Sequence, residues 1–171
     1  MRFGLQINQF TWPGGAAAIG PTLARVGRAA DDAGFDSIWV MDHFFQIRGL
    51  GPPEAPMLEG QTALGFLAAH TEKARLGLMV GGVHYRAPAL WIKATTTLDV
   101  LSGGRAWFGI GAAWNEHESK GLGFTFPRWR STRMPATSSA ARPSSSVTSW
   151  PCCMSIAIVS ADRTKRSSAR C

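Results

Sequence analysis

Two adjacent residues carry the sharpest chemical signal in this chain. Asp42 and His43 directly follow SIWVM, a continuous buried-type run at 37–41. A carboxylate beside an imidazole can orient the ring, set its tautomer and raise its basicity. The plainer alternative is a loop aspartate capping a turn next to a solvated histidine. Other polar groups stand in the same place relative to an apolar run. Asn8 follows the first, His84-Tyr85-Arg86 follows RLGLMV, and Asn115-Glu116-His117-Glu118 follows AWFGI. His84 reads either as a second polar contact to a ligand or as loop packing. Asn115 suits a hydrogen bond to a planar heterocycle. It equally suits the N-cap of a helix starting at Glu116, with Glu118 near the first turn. Trp114 could flank a ligand, whereas Trp39, Trp107 and Phe108 read as packing.

Other chemistries find little support. The four histidines lie on separate loops or helices with no shared helical face. The first strand lacks the H-x-H pair that metal-bearing barrel hydrolases usually present, so no metal is expected. There is no G-x-S-x-G nucleophile turn. The three cysteines, Cys152, Cys153 and Cys171, match neither zinc spacing nor a disulfide framework.

The elements that must position these residues alternate. FGLQI predicts a strand, with Phe3, Leu5 and Ile7 on one face. Pro21 suits the first turn of a helix whose apolar positions are Leu23, Val26, Ala29, Ala30 and Ala33, with Gly34 as its C′ residue. SIWVM is the second strand. Residues 61–69 predict a helix and 75–80 a third strand. Pro88 opens a helix running to Leu101, closed by Ser102-Gly103-Gly104, and 106–110 form a fourth strand. Strands starting near 3, 37, 76 and 106 recur at βαβ spacing. The long loops follow strands and the returns are short, as in a (β/α)8 barrel with its site at the carboxyl face. A doubly wound sheet is the alternative, but no G-x-G-x-x-G turn follows the first strand. Such a barrel takes roughly 250 residues, so the predicted fold is α/β, the N-terminal half of a (β/α)8 TIM barrel of four βα units.

Composition divides the chain at residue 127. Of 18 Lys+Arg and 11 Asp+Glu, ten of each sign fall in residues 1–127. The net charge of +7 therefore belongs to 128–171, as do all three cysteines and eleven serines; all 19 glycines precede the division. The high pI is thus no sign of a specific nucleic-acid partner, since the basic residues lie off the part that reads as folded. A cysteine-free body suits the cytoplasm. No stretch is long and apolar enough to predict a membrane span.

At these residues the chain resembles the luciferase-like monooxygenase (bacterial-luciferase-like) superfamily, and its coenzyme F420-dependent oxidoreductase branch most. The matching segments are RFGLQINQF, AADDAGFDSIWVMDHF, MLEGQTALGFLAAHTEKARLGLMVGGVHYRAPAL, KATTTLDVLSGGRAWFGIGAAWNEHE and GLGFTFP, in that order. The resemblance implies a barrel holding coenzyme F420, or else FMN, at its carboxyl mouth. It implies hydride transfer between that ring and a small organic substrate, and a homodimer for intact members. By position, His43 matches a histidine near the ring with an acid/base role and Asp42 its neighbour, so these two are the catalytic candidates. Met79–Gly82 matches a bulge, often with a non-prolyl cis peptide, behind the ring. The cofactor contacts implied are Asn8, Val80, Gly81, Gly82 and Asn115. The deazaflavin-dependent sugar-phosphate dehydrogenases carry Glu where this chain has Ala112 and Trp where it has Ile47, which speaks against that reaction here.

After GLGFTFP the family continues into an amphipathic helix, whereas this chain reads RWRSTRMPATSSAARPSSSVTSWPCC. The expectation is a partial barrel over 1–127 followed by a basic, disordered or out-of-frame tail over 128–171. Two alternative functions follow from that expectation. One is a non-catalytic fragment with open sheet edges. The other is salt-sensitive polyanion binding by the tail.

Overall fold

In the computed structural model, residues 1–126 and the strand at 157–159 are described. The expected tail of 128–171 otherwise lies outside the described residues. The first βα unit is β1 (Gly4–Ile7) and α1 (Ala16–Asp32). α1 buries Leu23, Ala24, Gly27 and Ala30, an apolar stripe at helical spacing. It ends as expected: Gly34 adopts φ +80, and the amide of Phe35 reaches back to the Ala30 carbonyl. Its start differs. The helix begins at Ala16, so Pro21 lies inside it. Pro21 carries a φ that the helix shares, and it forgoes the one bond to the carbonyl four residues before it.

β2 (Ser37–Val40) is buried throughout, as a parallel strand covered on both faces must be. α2 (Gly60–Ala68) is capped by Glu59, whose carboxylate accepts from the amides of Gln61 and Thr62. β3 (Arg75–Leu78) and β4 (Gly81–Gly82) follow, then α3 (Pro88–Leu101), which opens on its proline as predicted. β5 (Ala106–Gly111) leads to the short α4 (Glu116–Gly121).

β1, β2, β3 and β5 lie side by side, all parallel, in chain order. This is the expected half of a (β/α)8 barrel. β3 and β4 are two pieces of one strand along β5. Gly77 pairs Trp107 and Gly81 pairs Ile110, so four steps on one side meet three on the other. The extra residue is a β-bulge, with a cis peptide at Met79–Val80. On the other edge of β5, β6 (Ala157–Val159) pairs antiparallel. No periodicity in the sequence marked that strand.

The core packs Leu23, Ile38, Val40, Leu64, Leu67, Leu76 and Leu78 between helices and sheet. At the amino end of the strands, the buried Asp31 and the half-buried Arg105 tie the turns. Asp31 accepts from the amides of Glu72, Lys73 and Ala74. Arg105 donates to the carbonyls of Ala68, Thr71, Ala74 and Ser102.

Candidate active site

The carboxyl ends of all four strand positions converge on one cavity of about 330 Å³. Gln6 contributes from β1, Met41, Asp42 and His43 from the end of β2, and Met79–Gly82 from the bulge. Gly111, Ala112, Ala113 and Trp114 come from the end of β5, and Ile47 and Tyr85 complete the wall. Of the residues singled out from sequence, Asp42, His43, Val80, Gly81 and Gly82 are brought together here. Asn8 and Asn115 are not in the lining. Asn8 gives its carbonyl to Gln46 Nε2 at 3.1 Å. Asn115 is the N-cap of α4, its side chain facing the Glu118 amide at 3.5 Å. His84 bonds Ser119 Oγ at 2.8 Å, the packing alternative.

The expected pairing of Asp42 with His43 is not what forms. Successive residues leaving a strand point to opposite sides, so the two side chains enter different networks. Asp42, 3% exposed, turns to Arg86 and to the Gly82 amide, 2.8 Å away. Burial pushes its carboxyl above the ordinary value, against the pull of the Arg86 and Gly82 bonds. His43 Nδ1 instead meets Glu118 Oε2 at 2.8 Å. Glu118 is wholly buried and also accepts from the amides of Phe44 and Phe45 and from Tyr85 Oη at 2.9 Å. Burial alone would raise its carboxyl; the bonds from His43, Phe44 and Tyr85 outweigh it and hold the group below the ordinary value. Burial beside Glu118 drives the Tyr85 hydroxyl upward, so Tyr85 remains a proton donor.

Tyr85, Arg86 and Glu118 were placed by sequence among the polar groups at the strand ends but given no role at a site, and Glu59 was not singled out at all. The signal available for Glu118 was its place three residues after the N-cap, but a first-turn glutamate ordinarily reads as helix electrostatics.

The wall of the cavity is shaped for close backbone approach. A Cβ at Gly81 would fall 2.1 Å from Trp91 Cζ2, and at Gly111 2.5 Å from Val80 Cγ2. Ala113 holds φ +56, a left-handed conformation that costs an alanine roughly 1–2 kcal/mol. Such strain gathers at ligand-binding positions. Trp114, 51% exposed, sets its ring edge-on to His43 at 5.6 Å. No lysine or arginine is among the residues lining the cavity.

Comparison with known proteins accords with this geometry. A family model described as luciferase-like monooxygenase matches residues 1–134. The chain is 35% identical over 85 residues to 5,10-methylenetetrahydromethanopterin reductase of Archaeoglobus fulgidus, covering 50% of this chain and 22% of that protein. It is 34% identical over 110 residues to F420-dependent glucose-6-phosphate dehydrogenase of Kineococcus radiotolerans, covering 63% and 31%. Among solved structures, it resembles the oxygenating constituent of 3,6-diketocamphane monooxygenase of Pseudomonas putida, in complex with FMN. That likeness has TM-score 0.60 at 23% identity, covering 72% of this chain and 33% of that one. The chain thus spans about a fifth to just over a third of the length of the relatives it matches.

Proposed function

The chain belongs to the luciferase-like monooxygenase family, and on that premise we propose that its cavity is the ring site of an F420- or flavin-dependent oxidoreductase. Its reaction is hydride transfer between that cofactor and a small organic substrate. The observation that carries the reading is the wall at 79–82 and 111–114: apolar, broken by glycines, and faced by a histidine held from behind by a carboxylate. Those residues fit a planar, largely apolar ring system. F420 is the first choice, because the relative from Kineococcus radiotolerans bears that dependence in its name at 34% identity, against 23% for the FMN-bound structure.

A bound deazaflavin or flavin supplies a hydride acceptor or donor. Val80, Gly81, Gly82 and Gly111 give it a close apolar backing, and Trp114 and Ile47 shield the space from water. His43 takes or returns the substrate proton. Asp42 acts at one remove, holding the bulge through the Gly82 amide rather than exchanging a proton itself. Asn115 acts through α4, whose start it caps. Ala112 and Ile47 leave the substrate side apolar, and no cationic side chain lines it, so a sugar phosphate is not the substrate we propose. The reading takes 1–127 as the barrel domain.

Titration of the purified chain with F420, and separately with FMN, tests the proposal through ring fluorescence. Saturable micromolar binding is expected, tighter for F420 and weakened by His43→Ala. No saturable change with either cofactor would overturn the reading, and binding of FMN alone would overturn the choice of cofactor.

A further inference from the structure

The protonation pattern of His43 is set from outside the cavity. Glu118 divides four donors evenly between its oxygens. Oε1 accepts from the backbone amides of Phe44 and Phe45. Oε2 accepts from His43 Nδ1 and Tyr85 Oη. An ionised carboxylate can only accept, and a backbone N–H can only donate. The imidazole nitrogen facing Oε2 must therefore carry a hydrogen. A neutral ring has one such hydrogen, so placing it on Nδ1 leaves Nε2 with a free lone pair.

We infer that Glu118 is a positioning residue that fixes His43 in its Nδ1–H tautomer, so that Nε2 meets the cavity able to take a proton from a substrate. This rests on the cavity being the cofactor-ring site and adds to it the residue that sets the proton pattern of its histidine. Glu118 touches no cavity space of its own. It acts on the reaction only through His43 and through the loop at 44–45 that its other oxygen holds.

The arrangement makes a directional prediction for Glu118→Gln. The amide offers one acceptor oxygen and one NH2. The two backbone amides cannot reverse, so the oxygen must stay with them. The NH2 then faces His43 and Tyr85, which can reverse: the hydroxyl rotates, and the ring moves its hydrogen to Nε2. A residue that merely stabilised the fold would not convert the ring from acceptor to donor on the cavity side.

The experiment is long-range 1H–15N correlation NMR of the histidine-labelled full chain, on the alkaline side of ordinary imidazole titration, with the His43 signals assigned by His43→Gln. The wild type and Tyr85→Phe should both show Nδ1–H at His43, and Glu118→Gln should show Nε2–H. An Nε2–H ring in the wild type, or a folded Glu118→Gln protein that keeps Nδ1–H, would overturn the inference. If Glu118→Gln does not fold, the wild type and Tyr85→Phe decide it alone. The test needs no cofactor. A failed titration with Nδ1–H intact removes the proposed function and leaves this arrangement, whereas cofactor binding with an Nε2–H ring does the reverse.

Discussion

Asp42 and Arg86 meet fork to fork, each carboxylate oxygen 2.6 Å from one guanidinium nitrogen. Arg86 continues to Glu59, the cap of α2, while Asp42 also takes the Gly82 amide. One ion pair thus joins the end of β2, the bulge and the start of α2. Both side chains are nearly buried, at 2% and 12% exposure.

Asp42→Asn would leave Arg86 paired with Glu59, so its charge is not stranded, but it removes one strong fork and should cost about 1.5–3 kcal/mol. That loss should appear as a lower urea midpoint at unchanged slope. Arg86→Lys keeps the charge but loses the fork, and should fall between. An Asp42→Asn protein as stable as the wild type would show that the pair contributes nothing net.

Two glycines offer a matched contrast. A Cβ at Gly109 would lie 2.4 Å from the Leu78 carbonyl oxygen, which the sheet cannot move; one at Gly65, inside α2, meets nothing within 4 Å. Gly109→Ala should cost about 1–3 kcal/mol by overpacking. Gly65→Ala should stabilise by about 0.5–1 kcal/mol, since alanine loses less freedom in a helix. Thermal unfolding of the two variants reads both signs, and a shift in the same direction for both would refute the contrast.

Arg105 gathers four backbone carbonyls at the amino end of the strands, away from the cavity. Arg105→Ala strands those acceptors and should cost about 2–4 kcal/mol. In a barrel this end supports stability and the opposite end supports function. Cofactor affinity measured well below the unfolding temperature should therefore stay close to that of the wild type.

Acid should destabilise the fold through two carboxylates. Asp31, like Glu118, sits below its ordinary value: burial would raise it, but the amides of Glu72, Ala74 and Lys73 prevail. At low pH the unfolded chain binds protons that these folded groups refuse, so stability falls as pH falls. Their contribution is complete above the ordinary values of 3.8 for Asp31 and 4.5 for Glu118, and is lost on descending through the lower folded values. Asp42, pushed up by burial, acts with the opposite sign. The sensitive comparison is therefore Asp31→Asn against wild type. Urea midpoints should start lower in the variant and decline less steeply toward acid. Parallel curves would exclude Asp31 as a source.

Much of the scaffold was legible because its signals are local. Pro88 at a helix start, Gly34 and Gly103-Gly104 at helix ends, and fully apolar parallel strands depend on near neighbours alone. The start of α1 was misread because Pro21 sends the same local signal whether it opens a helix or lies one turn inside it. The bulge at 79–82 could be placed only through family resemblance, since its register is defined by β5, some thirty residues away.

The sequence by itself determined the strand–helix alternation, the family and the cluster of polar residues at the carboxyl ends of the strands. It could not determine which polar residue serves which. Asp42 and His43 are adjacent in the chain, yet their partners, Arg86 and Glu118, stand 44 and 75 residues away. Only the closing of four parallel strands side by side brings those partners within bonding distance. Only the burial that follows decides which carboxylate holds a backbone wall and which holds the imidazole.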